Sequence, residues 1–265
     1  MSIAVEIAVQ DLAGLEVAAH AGADRVELCV DLDRGGLTPP PELVEQCARH
    51  AGALVAARDA KPHFDVHVLI RCRAGEEPFL GRPEEFVYSI DEIELMARQA
   101  QQTVAAGAAG VVIGALTPAG ELDVPAIESI RDSALGAAST ALRGVHLTFH
   151  RALDALAGRE QRVEAMRALL GLGFHRALSS GGAARAVEGA DDLAAMVEAA
   201  EGFLDVCAGG GVRPADLPDL VRRSGVADVH LSARRRPDAP VEADAPKTRT
   251  DPAIVSAAVD AAGEL

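Results

Sequence analysis

Short apolar runs alternate with longer, alanine-rich amphipathic runs along the whole chain. Eight short runs read as strands: Ile3–Ala8, Arg25–Cys29, Asp65–Ile70, Gly110–Gly114, His146–Phe149, Arg176–Ser179, Leu204–Ala208 and Asp228–Leu231. Each is apolar or alternating and is bounded by Gly, Pro or polar residues. Helical periodicity fits Leu12–Ala21, Pro41–Ala57, Ile90–Ala106, Val124–Ala138, Gln161–Leu172, Ala184–Ala200, Ala215–Ser224 and Pro252–Ala262. Gly22, Gly107, Gly173 and Gly225 each follow a helical run, and a strand begins a few residues later. A glycine there stops the helix in the left-handed conformation and turns the chain back.

Repeated strand–helix units with short connectors imply a parallel sheet, because parallel strands need crossovers. Eight such units predict an α/β fold, a (β/α)₈ TIM barrel in a single domain over residues 1–265, with a C-terminal helix. A barrel of this kind uses ~250 residues, and the chain has 265. An open doubly wound sheet is the alternative. Two stretches break the rhythm. Residues 71–89 form a long, charged connection after the third strand, and residues 234–249 read as an irregular segment.

The formal net charge is −15. Binding to nucleic acid or to an anionic membrane surface is not expected, since both need clustered Lys and Arg. Trp is absent and Tyr occurs once, so no aromatic stacking platform is expected. The four cysteines, Cys29, Cys47, Cys72 and Cys207, form no CxxC pair. No signal peptide precedes the first strand and no apolar run matches a bilayer, so free thiols in the cytoplasm are expected.

In a parallel barrel, the residues that end each strand gather at one mouth. Strand 1 brings Glu6 there, and strand 2 brings Glu27 and Cys29. Strand 3 ends in Arg71, Cys72 and Arg73. Strand 4 ends in Gly114, and strand 5 in His150 and Arg151 with Asp154 beyond. Strand 6 supplies Ser179, Ser180, Gly181 and Gly182. Strand 7 supplies Cys207 and Gly209, Gly210 and Gly211, and strand 8 His230 and Ser232.

Glu6, Glu27, Arg71, His150, Arg151, Asp154 and His230 are the candidate catalytic group. Arg73, Ser180, Gly181, Gly209, Gly210, Gly211 and Ser232 are the candidates for holding an anionic ligand. Charged groups rarely enter a core unless paired, so this convergence predicts a polar pocket. Each residue also has a purely structural reading. Glu6 or Glu27 would then bridge Arg71, Arg25 and Asp24 would be solvated partners outside the barrel, and the glycine triplet would be a tight turn. The His63–His67 and His146–His150 spacings place each pair on one strand face, but about 13 Å apart, too far to chelate one ion. Cys29 and Cys207 are soft donors of the type Cu(I) prefers; burial as small apolar groups is the other reading.

The chain resembles the CutC family of copper homeostasis proteins. The matching stretches are GADRVELC (22–29), GGLTPP (35–40), IRCRAG (70–75), GVVIGALTPAGELD (110–123), LTFHRALD (147–154), LSSGG (178–182), AGGGV (208–212) and VHLSAR (229–234). The resemblance implies a cytosolic TIM-like barrel, a homo-oligomer (dimer or tetramer), and a link to copper. Of the two cysteines implicated in members proposed to bind Cu(I), one matches Cys29. The other falls where this chain has Ala8. Cys72 replaces a proline of the family pattern, and the loop after it is longer. Two functions from different classes follow: Cu(I) handling through Cys29 and Cys72, or an enzyme of lyase, isomerase or hydrolase type acting on a small anionic or phosphorylated metabolite. A non-catalytic oligomeric scaffold is the third.

Overall fold

A computed structural model describes residues 3–75, 79–235 and 248–265. Its strands are β1 (Ala4–Val9), β2 (Arg25–Leu28), β3 (Asp65–Leu69), β4 (Gly110–Ile113), β5 (His146–Phe149), β6 (Arg176–Ser179), β7 (Asp205–Gly209) and β8 (Asp228–Leu231). Between and after them run α1 (Leu12–His20), α2 (Pro41–Ala57), α3 (Ile90–Ala105), α4 (Val124–Thr140), α5 (Arg159–Gly171), α6 (Ala190–Ala200), α7 (Leu217–Ser224) and α8 (Pro252–Gly263). The strands pair in chain order and β8 closes on β1. All eight pairings are parallel. The sheet is a closed barrel, not the open doubly wound alternative.

Helix starts follow local chemistry. The Asp11 side chain accepts the Gly14 N–H at 2.7 Å at the head of α1. Ser89 and Glu92 form a reciprocal capping box at the head of α3. Asp123 and Asp251 cap α4 and α8. Gly22, Gly107, Gly173 and Gly225 all have positive φ, as the helix-to-strand connector requires.

Strand alternation sorts the side chains by face. Val5, Ile7, Val9, Val26, Leu28, Val66 and Val68 pack outward against the helices in one continuous apolar core. The inward positions are charged to an unusual degree. Glu6, His67, Arg176 and Asp228 are all buried inside the ring, where barrels ordinarily place branched apolar side chains.

α6 begins at Ala190, later than its periodicity predicts. The Ala186 N–H donates to the Gly210 carbonyl at 2.9 Å instead of entering a helical ladder. Gly189 sits so close to the Ser180 carbonyl that a Cβ would overlap it. The preceding residues are thus tied to the neighbouring loops.

The long connection after β3 folds over the mouth. The Gly75 N–H bonds the Arg34 carbonyl at 3.0 Å, and the Leu116 N–H bonds the Phe86 carbonyl at 2.9 Å. Within the segment expected to be irregular, β9 (Arg234–Arg235) pairs antiparallel with β10 (Arg249–Thr250). Residues 76–78 of the first stretch and 236–247 of the second lie outside the described residues. Among the described residues no helix is long and apolar enough to cross a membrane.

Candidate functional site

The barrel interior is organised around Glu6. Its position on β1 lies beside Arg25 on β2 and His230 on β8 in the strand register. The Glu6 carboxylate accepts from Arg176 Nη2, from Arg25 Nε at 3.0 Å, and pairs with His230 Nδ1 at 2.8 Å. Arg25 and Arg176 both also reach Asp228. Arg176 further donates to Thr148 Oγ1 at 3.2 Å and to His67 Nδ1 at 3.3 Å. Burial disfavours a charged Glu6, but Arg176 overrides it, aided by His230 and Arg25, and the carboxyl is held well below the ordinary glutamate range.

Two of the alternative structural readings differ from this network. Glu6 pairs with Arg176 rather than Arg71, because β6 places Arg176 across the ring at its level. Arg25 turns inward to Glu6 and Asp228 rather than lying in solvent with Asp24. Asp24 instead accepts the Val5 N–H at 2.8 Å and pairs with Lys61 at 2.8 Å.

Above this network lies a small pocket of about 80 Å³. Glu27, Arg71, His150, Arg151 and His230 line it together with Phe79, Phe86, Leu69, Leu178, Leu32 and Gly35. Five of the seven predicted catalytic residues therefore share one cavity. The other two stand directly behind it, Glu6 against His230 and Asp154 against Arg151. A larger hollow of about 270 Å³ against α5 is lined by residues such as Leu122, Leu156 and Ala165. It contains none of the polar groups gathered at the strand ends.

His230 lies between two carboxylates. Its Nδ1 faces Glu6 and its Nε2 is 3.7 Å from Glu27. Burial works against the imidazolium, yet the charges of Glu27 and Glu6 prevail and raise its pKa above the ordinary value.

His150 is the opposite case. Burial, and then the positive charge of Arg71, lower its pKa to about 3, so it is neutral at neutral pH. Its Nδ1 accepts the Ala152 N–H at 3.2 Å. That bond assigns the ring proton to Nε2. This Nε2 is buried and has no hydrogen-bond partner among the described residues. The ring has room because the residue after β4 is Gly114, where a Cβ would stand 2.5 Å from His150 Nδ1.

Arg71 is held by the loops around it. Its Nη1 donates to the Gly35 carbonyl at 3.1 Å and its Nη2 lies 3.5 Å from Glu85. The guanidinium carbon lies 4.8 Å from the Phe79 ring centre and 5.4 Å from that of Phe86. Its Nε is a second buried donor that makes no hydrogen bond among the described residues, with the buried Tyr88 hydroxyl interacting with the same guanidinium. The long loop thus forms a wall of the pocket, through Phe79 and Phe86.

The glycine-rich turn after β6 is already engaged. The Asp154 carboxylate accepts from the Ser179 hydroxyl at 2.6 Å and from the N–H groups of Ser180 (2.9 Å) and Gly182 (3.3 Å). The Gly181 N–H goes to Ser179 Oγ at 2.9 Å. An internal carboxylate therefore fills the anion nest this turn forms. Asp154 Oδ2 also accepts from Arg151 Nε at 2.8 Å, which aims Arg151 across Gly210 into the pocket. Gly209 packs on Leu178 and His230, and Gly211 on Arg185. Arg73 lies away from the pocket: it pairs with Glu92 at 2.7 Å and donates to the Val87 carbonyl at 2.8 Å. Ser232 lines a separate cleft of about 10 Å³ with Arg234 and Arg249.

The residues present do not fit a preformed Cu(I) centre. The Cys29 thiol is buried against Leu69 and Val112 and directs its weak donor to the Val9 carbonyl at 3.9 Å. Burial, and then the charge of Glu27, push it well above the ordinary thiol value, away from the thiolate that a soft metal needs. Ala8 supplies no second sulfur. Cys72, half-buried beside Arg73 and Glu92, is likewise raised by burial. Among the described residues no three His, Cys, Asp or Glu side chains are grouped to hold a metal ion.

Arg25, His67, Arg176 and Asp228 were not singled out from the sequence as interior groups. The signal was present in the strands themselves. Arg25–Glu27–Cys29, Asp65–His67–Leu69–Arg71 and Asp228–His230–Ser232 are each spaced by two, so each set lies on one strand face.

A closed parallel barrel with a polar cavity at the carboxyl ends of its strands places the protein in the TIM-barrel class. The CutC family model matches residues 3–235, and the chain belongs to that family, whose name carries the link to copper homeostasis. A CutC family protein of Agrobacterium fabrum is 36% identical over 233 residues, 88% of this chain and 80% of that protein. One from Xylella fastidiosa is 38% identical over 234 residues, covering 88% of this chain and 76% of the relative. The crystal structure of a CutC protein from Streptococcus agalactiae, described as a candidate copper homeostasis protein, aligns with TM-score 0.73 at 26% identity. It covers 87% of this chain and 98% of that one.

Proposed function

We propose that the barrel mouth binds a small anionic metabolite through an oxygen that accepts hydrogen bonds from Arg71 and His150. The carrying observation is the pair of buried N–H donors, Arg71 Nε and His150 Nε2, unpartnered among the described residues and belonging to side chains that line one cavity. A buried donor left unpaired costs about 1–3 kcal/mol, and an acceptor oxygen relieves both. Arg71 and Arg151 supply positive charge to the lining, and the phenylalanine and leucine walls lower the local dielectric, which strengthens such bonds. Pockets for drug-sized ligands are commonly ~300–1,000 Å³; a cavity near 80 Å³ suits a ligand of a few heavy atoms. Four unpaired cysteines support residence in a reducing compartment.

The test is a thermal-shift and calorimetric screen of small carboxylates and inorganic phosphate against wild type and His150→Phe. Phe keeps an aromatic ring and removes the Nε2 donor, together with the Nδ1 acceptor of the Ala152 N–H. Saturable binding of at least one carboxylate is expected, weakened about tenfold or more in the variant. No binding at millimolar concentration, or equal binding by both proteins, refutes the reading.

A further inference from the structure

The cavity lined by Arg71 and His150, whose Nε and Nε2 have no hydrogen-bond partner among the described residues, is also lined by a carboxylate backed by an imidazole. Glu27 lines the pocket, and His230 faces it at 3.7 Å while bonded to Glu6 at 2.8 Å. Glu6 is in turn fixed by Arg25 and Arg176. An anion anchor alone needs no second carboxylate in the same small cavity, since it would repel the ligand.

We infer that the site catalyses reversible proton abstraction from a carbon next to a carbonyl, with Glu27 as the base and the Arg71 Nε–H and His150 Nε2–H groups holding the oxygen. The inference rests on the binding reading above and names the chemistry of that same site. The Glu27 carboxylate takes the proton, and the C–H electron pair becomes the new C=C bond. The carbonyl π pair moves onto oxygen, where the two donors receive the developing charge. Once the Glu27 carboxyl proton has exchanged with solvent, its return to the same carbon regenerates the substrate with a solvent-derived hydrogen. Delivery to the former carbonyl carbon of a hydroxyketone, after the hydroxyl proton shifts between oxygens, gives an isomer. No electrons are gained or lost and no co-reactant is needed.

Three features favour an enolate oxygen over a phosphate. The unpartnered donors are two single N–H groups on side chains that share one cavity walled by phenylalanine and leucine, and a pair of such donors is what stabilises one oxyanion. The donor on His150 is a neutral imidazole, whose N–H is a weak acid matched to an enol rather than to a fully charged anion. The backbone nest after β6, the natural phosphate cradle, is occupied by Asp154. His230 stands between Glu27 and Glu6, whose charges favour its protonated form, and is a positioning residue, as is Glu6 behind it.

The experiment uses the full chain in D₂O with pyruvate and hydroxyacetone as probes, following loss of the methyl proton signals by NMR. Binding is scored separately by thermal shift. Wild type is expected to exchange at least tenfold faster than buffer. Glu27→Gln is expected to retain binding and lose about 100-fold in exchange, the scale of a general base. Glu27→Asp, which withdraws the carboxylate by one methylene, checks the same role in case the glutamine variant does not fold. If a probe binds wild type but exchanges at the buffer rate, the catalytic inference falls and the binding site stands. If neither probe binds, the catalytic inference falls, and the binding reading falls with it only if the wider screen of carboxylates and inorganic phosphate also fails. If the Glu27 variants exchange as fast as wild type, the assignment of the base is overturned.

Discussion

Replacing Glu6 by Gln tests the interior network most directly. Glu6 is 1% exposed and accepts from Arg176 and Arg25 while pairing with His230. A glutamine keeps one acceptor oxygen and turns an NH₂ group toward cations that also only donate. Arg25 and Arg176 retain Asp228, so neither is left wholly unpaired. Breaking a buried pair from one side costs about 3–5 kcal/mol, and the remaining Asp228 contacts place this case near 3. In a chain of this size that lowers the melting temperature by roughly 6–12 °C, at about 2–4 °C per kcal/mol. Urea denaturation followed by circular dichroism reads the difference. The sign with pH follows from the depressed Glu6 ionisation. Its contribution is full above the ordinary glutamate value of 4.5 and is lost as pH falls toward the folded-state value. The gap between the two proteins must therefore narrow in acid. His230 has the opposite sense: its contribution is full below 6.5 and is lost as pH rises through its raised value. Without Glu6 that value must drop, as read from the His230 ring-proton NMR titration. A loss under about 1 kcal/mol, or a penalty in Glu6→Gln/Arg176→Met equal to the sum of the singles, would refute the argument, because coupled partners must not be additive.

Two further outcomes follow from the site. Gly114→Ala puts a methyl against the His150 ring. It should cost about 1–3 kcal/mol by overpacking and weaken ligand binding more than it lowers the melting temperature. Unchanged affinity would show that the ring position is immaterial. In a Cu(I) titration against a competing chelator, wild type and Cys29→Ser should bind equally weakly, because burial keeps the thiol protonated. Tight one-to-one binding lost with Cys29 would overturn that account.

The strand and helix order was legible because each unit carries its own local signals: apolar alternation, an Asp or Ser at helix starts, glycine at helix ends. The rim residues were legible once the strands were placed, since Glu27, Arg71, His150, Arg151 and His230 all fall at or near strand ends. The sequence by itself thus determined the alternating strand–helix order and the working end of the strands, through periodicity and short-range capping that each segment specifies alone, whereas closure into a ring rather than an open sheet came with the tertiary structure. Only the tertiary structure decided the pairings. Glu6 and Arg176 stand 170 positions apart, and no local pattern tells a carboxylate which of several arginines lies across the ring at its height. The same closure decided that Asp154, rather than a ligand, fills the turn after β6, that His150 is neutral, and that Arg25 pairs with Glu6 and Asp228. These are consequences of burial and of strand register, which arise only when distant segments exclude water from one another.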